Sequence, residues 1–124
     1  MQFDGFIDRV RERSGLETRE EAETLTRAVL ETLGERLDRK VRDGILAQLP
    51  NELNDYLLLR AENSDQYPVE EFYNRVGARA DLTYQNATER TRQVLSVVRA
   101  SITEGEIQQI LESLPVEYQE LFRD

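Results

Sequence analysis

The chain of 124 residues has no cysteine, no histidine and no tryptophan, a single methionine, three prolines, and one lysine, Lys40, against fifteen arginines. Without cysteine there is no disulfide staple, thiol nucleophile or thiolate metal ligand. Without histidine the commonest general base is gone, and with both missing so are the usual zinc, haem and iron–sulfur ligand sets. The six glycines are scattered and form neither GxGxxG nor GxxxxGK[ST], so no phosphate-cradling loop is present. Long apolar runs are missing too. The longest, "YLLL" at 56–59, is far short of the roughly 18 residues that cross a bilayer. The opening "MQFDGFIDRV" has no basic stretch followed by an apolar one, so it does not read as a signal peptide. Sustained apolar alternation is absent, and with it any strand signal. A cytoplasmic, soluble, all-α protein is the expectation.

What is present is charge and helical periodicity. A third of the residues are charged and the net charge is −9, which disfavours nonspecific attraction to nucleic acid or an anionic membrane. Hydrophobic residues make up 39%, enough at regular spacing for a core that folds without staples.

The chain also repeats itself. A shift of 66 residues lays Phe6 on Phe72, Arg9 on Arg75, Val10 on Val76, Arg13 on Arg79 and Leu16 on Leu82. After one deletion near residue 84 the shift becomes 65. It then pairs Ala22 with Ala87, Thr26-Arg27 with Thr91-Arg92, Val29-Leu30 with Val94-Leu95, Leu49-Pro50 with Leu114-Pro115 and Glu52 with Glu117. One single-residue gap across such a span points to duplication. The copies occupy 1–60 and 68–124, with 61–67 as a polar linker.

Each copy reads as four helices. Phe3, Phe6, Ile7 and Val10 share a side at 100° per residue, and Gly15 stands where a left-handed cap belongs, matched in copy two by Asp81. Thr18-x-x-Glu21 and Thr103-x-x-Glu106 are capping boxes, and Thr83 opens the long helix of copy two. Ala22, Leu25, Val29, Leu33 and Leu37 run down one face of the long helix in copy one. Ile45 and Leu49, or Ile107, Ile110 and Leu114, mark the third helix. Proline then begins the fourth, with Glu52 or Glu117 in its first turn, where the helix dipole favours negative charge. Leu58 and Leu59 have no apolar counterparts in copy two, aligning with Arg123 and Asp124, and are expected to join the halves. The fold expectation is two tandem four-helix repeats packed into one compact helical bundle with approximate internal two-fold symmetry.

These segments resemble an uncharacterised bacterial domain-of-unknown-function family. The resemblance rests on the Phe6–Val10 opening helix, "TRAVLETL" at Thr26–Leu33, and the corners "QLPNEL" at Gln48–Leu53 and "LPVEYQELF" at Leu114–Phe122. It implies an all-helical bacterial, cytoplasmic protein and carries no reaction, cofactor or catalytic residue.

Candidate chemistry is sparse. The acidic "TREEAE", with Glu20, Glu21 and Glu23, reads as dipole-favoured charge in a first helical turn. The basic Arg36, Arg39, Lys40 and Arg42 read as complements to a helix C-terminus. Thr26 and Thr91 fall inside apolar faces, and each is expected to bond the carbonyl four residues back. Arg9, Arg13, Arg27, Arg75, Arg79 and Arg92 recur in both copies, as do Glu52 and Glu117, and interhelical arginine–carboxylate pairing is the expected use of the arginines. No catalytic residue, cofactor or metal is read. A non-catalytic protein-interaction or structural module is expected, its partner another protein or a second copy. A small-molecule domain with a pocket between the repeats and arginines anchoring an anion is the alternative, and a carboxylate-based enzyme a weaker one.

Overall fold

A computed structural model describes residues 1–123, which contain helix and no strand. The order is α1 (Phe3–Ser14), α2 (Arg19–Arg36), α3 (Arg39–Leu46), a 3₁₀ turn (Asn51–Leu53) running into α4 (Asn54–Leu58), a second 3₁₀ turn (Ala61–Asn63), α5 (Val69–Ala80), α6 (Tyr84–Ser101), α7 (Glu104–Ser113) and a 3₁₀ segment (Val116–Phe122). Lengths of twelve and eighteen residues open both halves. Their boundaries follow local chemistry. Gly15 and Asp81 both take left-handed backbone, φ 64° and 56°, so the chain folds back after α1 and α5 through Leu16 and Leu82. The Thr18–Glu21 box is complete.

Three local expectations need correction. Pro50, Pro68 and Pro115 stand one position earlier than read, as extended residues just before their helices. Their carbonyls accept the first turn's N–H groups, from Leu53, Glu71 and Tyr118. The fourth helices are short and largely 3₁₀. The second capping box is only half formed. Thr103 Oγ1 accepts from the Glu106 N–H, but the Thr103 N–H donates to Gln48 Oε1 at 2.8 Å, and Gln48 Nε2 reaches Glu106 in turn. The side chain at the first Leu-Pro corner thus enters the box of the other half and fastens α3 to α7.

Helix α1 packs on α2 and α6, α5 on α6 and α2, and α3 on α7, so the halves interlock around a single hydrophobic cluster. Phe6, Ile7, Val10, Leu30, Leu33, Phe72, Val76, Leu95, Val98 and Tyr118 lie at its centre. The long helix of copy one was read as amphipathic, yet residues 28–37 are buried without interruption. Helices α1, α4, α5 and α6 and the linker's 3₁₀ turn surround that part of α2. The expected joining face is elsewhere. Leu58 and Leu59 are 46% and 64% exposed, and the halves meet instead where α2 packs on α5 and α6, α1 on α6 and α3 on α7.

Gly34 makes the crossing of α2 and α4 possible. A Cβ there would lie 1.9 Å from the Leu57 carbonyl oxygen, a backbone atom that cannot swing away. Gly34→Ala is expected to cost about 3 kcal/mol by forcing the helices apart. Gly44→Ala meets only the flexible end of Glu106 and should cost much less. Urea unfolding of both variants checks this, and similar midpoints would refute the close-crossing account.

Candidate functional site

Covering the second half of α2 on all sides buries its polar residues along with its leucines, and Glu31, Thr32, Glu35 and Arg36 have each found a partner. Glu35 is the centre. Its Oε2 accepts from Arg79 Nη2 at 3.0 Å, its Oε1 accepts from Arg79 Nη1 at 3.2 Å and the Tyr67 hydroxyl at 2.8 Å, and Arg75 Nη1 pairs with Oε1 at 3.0 Å. Arg79 also donates to Thr32 Oγ1, which bonds the Ala28 carbonyl four residues back. Arg75 spreads over the Tyr67 ring, 4.1 Å from its centroid, and reaches Glu71 and Asp65. One turn earlier, Glu31 pairs with Arg60 at 3.3 Å.

Tyr67, a linker residue, is held at both ends. Its hydroxyl is on Glu35, while its carbonyl accepts from Arg36 Nε at 3.0 Å and from the Tyr118 hydroxyl at 2.6 Å. Tyr118 is fully buried and meets Phe72 edge to face at 6.1 Å. Two guanidiniums, Arg75 and Arg79, thus face three carboxylates, Glu35, Asp65 and Glu71, and Arg36 joins this network through Tyr67 rather than through an acid. Burial alone would raise the Glu35 carboxyl, but hydrogen bonds from Arg79, Tyr67 and Arg75 outweigh it and hold its pKa below the ordinary value. Burial first, and then the neighbouring carboxylate, push Tyr67 and Tyr73 well above the usual phenol range; burial also raises Tyr118. A carboxylate already accepting three hydrogen bonds and paired with a second guanidinium is a weak base, so the arrangement is suited to holding helices in register.

The duplicated residues separate into two groups. Arg75 and Arg79 enter the network, and Arg92 pairs with Glu120 at 2.7 Å, so the expected arginine–carboxylate pairing holds for copy two. In copy one it does not. Arg27 lies over the Tyr56 ring at 5.3 Å, Arg13 donates to Ser96 Oγ at 3.1 Å, and Arg9 is exposed, with no carboxylate partner for any of them among the described residues. The carboxylates at the matching places are missing: Glu35 corresponds to Ala100 and Glu31 to Ser96. Glu52 and Glu117 are exposed in their first turns. Thr26 and Thr91 are fully buried, but neither hydroxyl has a hydrogen-bond partner, against expectation. The bond to the carbonyl four residues back is made by Thr32 and Thr88 instead. Of the basic group between α2 and α3, Arg42 is buried and bonds the Gly34 and Leu37 carbonyls as a cation at a helix end should, and Arg36 is the network member. Arg39 and Lys40 remain in solvent.

Two concavities face outward. A cleft of about 320 Å³ lies where the α1–α2 corner meets the α5–α6 corner, its apolar side formed by Leu16, Leu25, Ala80 and Leu82 and its polar side by Glu21 and Arg90. An open groove of about 550 Å³ lies over α6 and is lined by Arg13, Arg92, Gln93, Ser96 and Arg123. Among the described residues no three acidic side chains converge as a metal site would require, and no helix is long and apolar enough to cross a membrane.

Sequence reasoning missed Glu31, Glu35 and Tyr67. A signal was available at two of the three, because Glu31 and Glu35 lie four residues apart, one turn, and recur in neither aligned position.

The family model that matches residues 3–121 is described as an uncharacterized conserved protein, DUF2267. No curated protein is detectably similar to the chain.

Two predictions test the network. Glu35→Ala leaves two part-buried guanidiniums without their shared acceptor and is expected to cost about 3 kcal/mol in urea unfolding; a loss near zero would show the charges to be merely solvated. The second concerns pH. The fold keeps Tyr67, Tyr73 and Tyr118 protonated, so their contribution is intact below about pH 10 and is lost above it, where the unfolded chain releases those protons. Glu35 works in the opposite sense: its depressed pKa contributes stability above the ordinary carboxylate range, lost as pH falls through the folded value. Unfolding midpoints across pH should therefore drop at both extremes, and Tyr67→Phe should flatten the alkaline limb.

Proposed function

The chain belongs to that family of uncharacterized conserved proteins, and since no activity comes with it, we propose from the structure alone that it is a non-catalytic helical module that docks other proteins. Its setting in this reading is the bacterial cytoplasm that the family resemblance implies. The observation that carries it is the pair Leu58 and Leu59, two large apolar side chains at the last residue of α4 and the one that caps it, both well exposed. Surface leucines scattered singly are ordinary, but adjacent ones at the end of a short helix, beside a polar linker, form the kind of apolar spot that a partner covers. Two further features support the reading. The buried acids are saturated by donors within the protein, and neither histidine nor cysteine is available for acid–base or nucleophilic work.

The test is capture of partners from native lysate by the tagged chain and by the double variant Leu58→Ser/Leu59→Ser. Exposed positions tolerate such changes within about 0.5 kcal/mol, so the variant should keep the parent's unfolding midpoint and lose the captured protein. Capture of the same proteins by both, or of none by either, would count against this surface.

A further inference from the structure

The same pair of arginines has met two different fates in this chain. On α5, Arg75 and Arg79 close on the Glu35 carboxylate of α2. On α1, Arg9 is exposed and Arg13 reaches Ser96 of α6, where the matching carboxylate positions hold Ser96 and Ala100. The seam that lacks an internal acid is also the seam that opens, into the groove of about 550 Å³ lined by Arg13, Arg92, Gln93, Ser96 and Arg123. That volume is in the range of small-molecule sites and exceeds what a single ion fills.

We propose that the groove between α1 and α6 is an oxyanion site that binds the phosphate group of a small phosphorylated molecule through Arg13, Arg92 and Arg123. Its donors are already placed. The Ser96 hydroxyl accepts from Arg13 Nη1 at 3.1 Å and donates to the Gln93 carbonyl at 2.7 Å, which holds the Arg13 guanidinium over α6. Glu120 holds Arg92 through Nη2. Arg123 enters from the end of the last 3₁₀ segment, at the position that aligns with Leu58 in copy one. Guanidiniums arriving from three elements suit a tetrahedral group with several oxygens better than a planar carboxylate, which one fork satisfies. A long polyanion is disfavoured, because the net charge of −9 repels nucleic acid away from this one basic concavity.

The test is an NMR titration of the full chain, following arginine Nε–H and backbone amide signals at constant ionic strength in slightly alkaline buffer, where phosphate is a dianion. Inorganic phosphate and glycerol phosphate should give saturable shifts at Arg13, Arg92, Gln93 and Ser96. Arg13→Gln should weaken binding by at least about tenfold, the size expected for a hydrogen bond to a charged group. Ser96→Ala, which keeps every charge, should weaken it severalfold by releasing Arg13, and Arg9→Gln should leave it unchanged. Shifts reproduced by chloride, or unchanged in Arg13→Gln and Ser96→Ala, would overturn the site. Acetate binding as tightly as phosphate would overturn the assignment to phosphate.

Discussion

The packing of this fold depends on a carboxylate that is almost wholly shielded from water. Glu35 sits in the half of α2 that four helices cover, and an ionised carboxylate buried without partners would cost several kcal/mol. Its partners come from α5, through Arg75 and Arg79, and from the linker, through Tyr67. Satisfying Glu35 therefore fixes where α5 lies on α2 and where the linker passes. The apolar contacts alone would allow some sliding of one helix on another. A bidentate guanidinium and a phenol on the same two oxygens allow much less. Tyr67 extends the constraint, because its carbonyl receives both Arg36 of α2 and Tyr118 of the last corner. One residue of the linker thereby ties the middle of the first half to the end of the second.

The helices, their caps and most core positions were legible in the sequence, because each depends on chemistry within a few residues: Thr18 with Glu21, the left-handed Gly15, the periodic leucines. The network was not legible. Glu35 to Arg79 spans forty-four residues, and nothing local, beside Gly34 and Arg36, marks Glu35 as buried. Tyr67 was hidden for another reason. It lies in a stretch whose composition reads as a polar linker, and only the fold shows that the linker crosses a packed helix. The misplacement of Leu58 and Leu59 has the same origin. Surplus leucines suggest an interface, but α2 already serves as the shared element, and α4 needs only Leu57 and Leu53 to cover its side of it.

Duplication makes the unequal fates of matched residues informative. The arginines of the opening helices survive in both copies, yet the acids that they meet do not. In one seam the anion is built in and the seam is closed. In the other the acid positions are serine and alanine, and the seam is an open groove. Thr26 and Thr91 show the reverse case, in which both copies keep a buried hydroxyl that lacks a partner in either. Such a hydroxyl costs about 1–3 kcal/mol relative to a satisfied one. Its place in both copies is a feature for which packing gives no account.

The two surfaces singled out for binding meet in the alignment at a single position: Leu58, exposed and apolar on α4, corresponds to Arg123, at the rim of the basic groove. Neither position supports the shared core, so neither is constrained by it. The buried half of α2 has no such freedom, since Glu31 and Glu35 are matched by arginines from other elements and Arg36 by the Tyr67 carbonyl and the Tyr118 hydroxyl, and altering one strands its partner. Stability and recognition are thereby assigned to different parts of one short chain. The closed network fixes the distance between the halves, and the outward-facing ends of the corners, which carry none of that constraint, are where the two copies have become different.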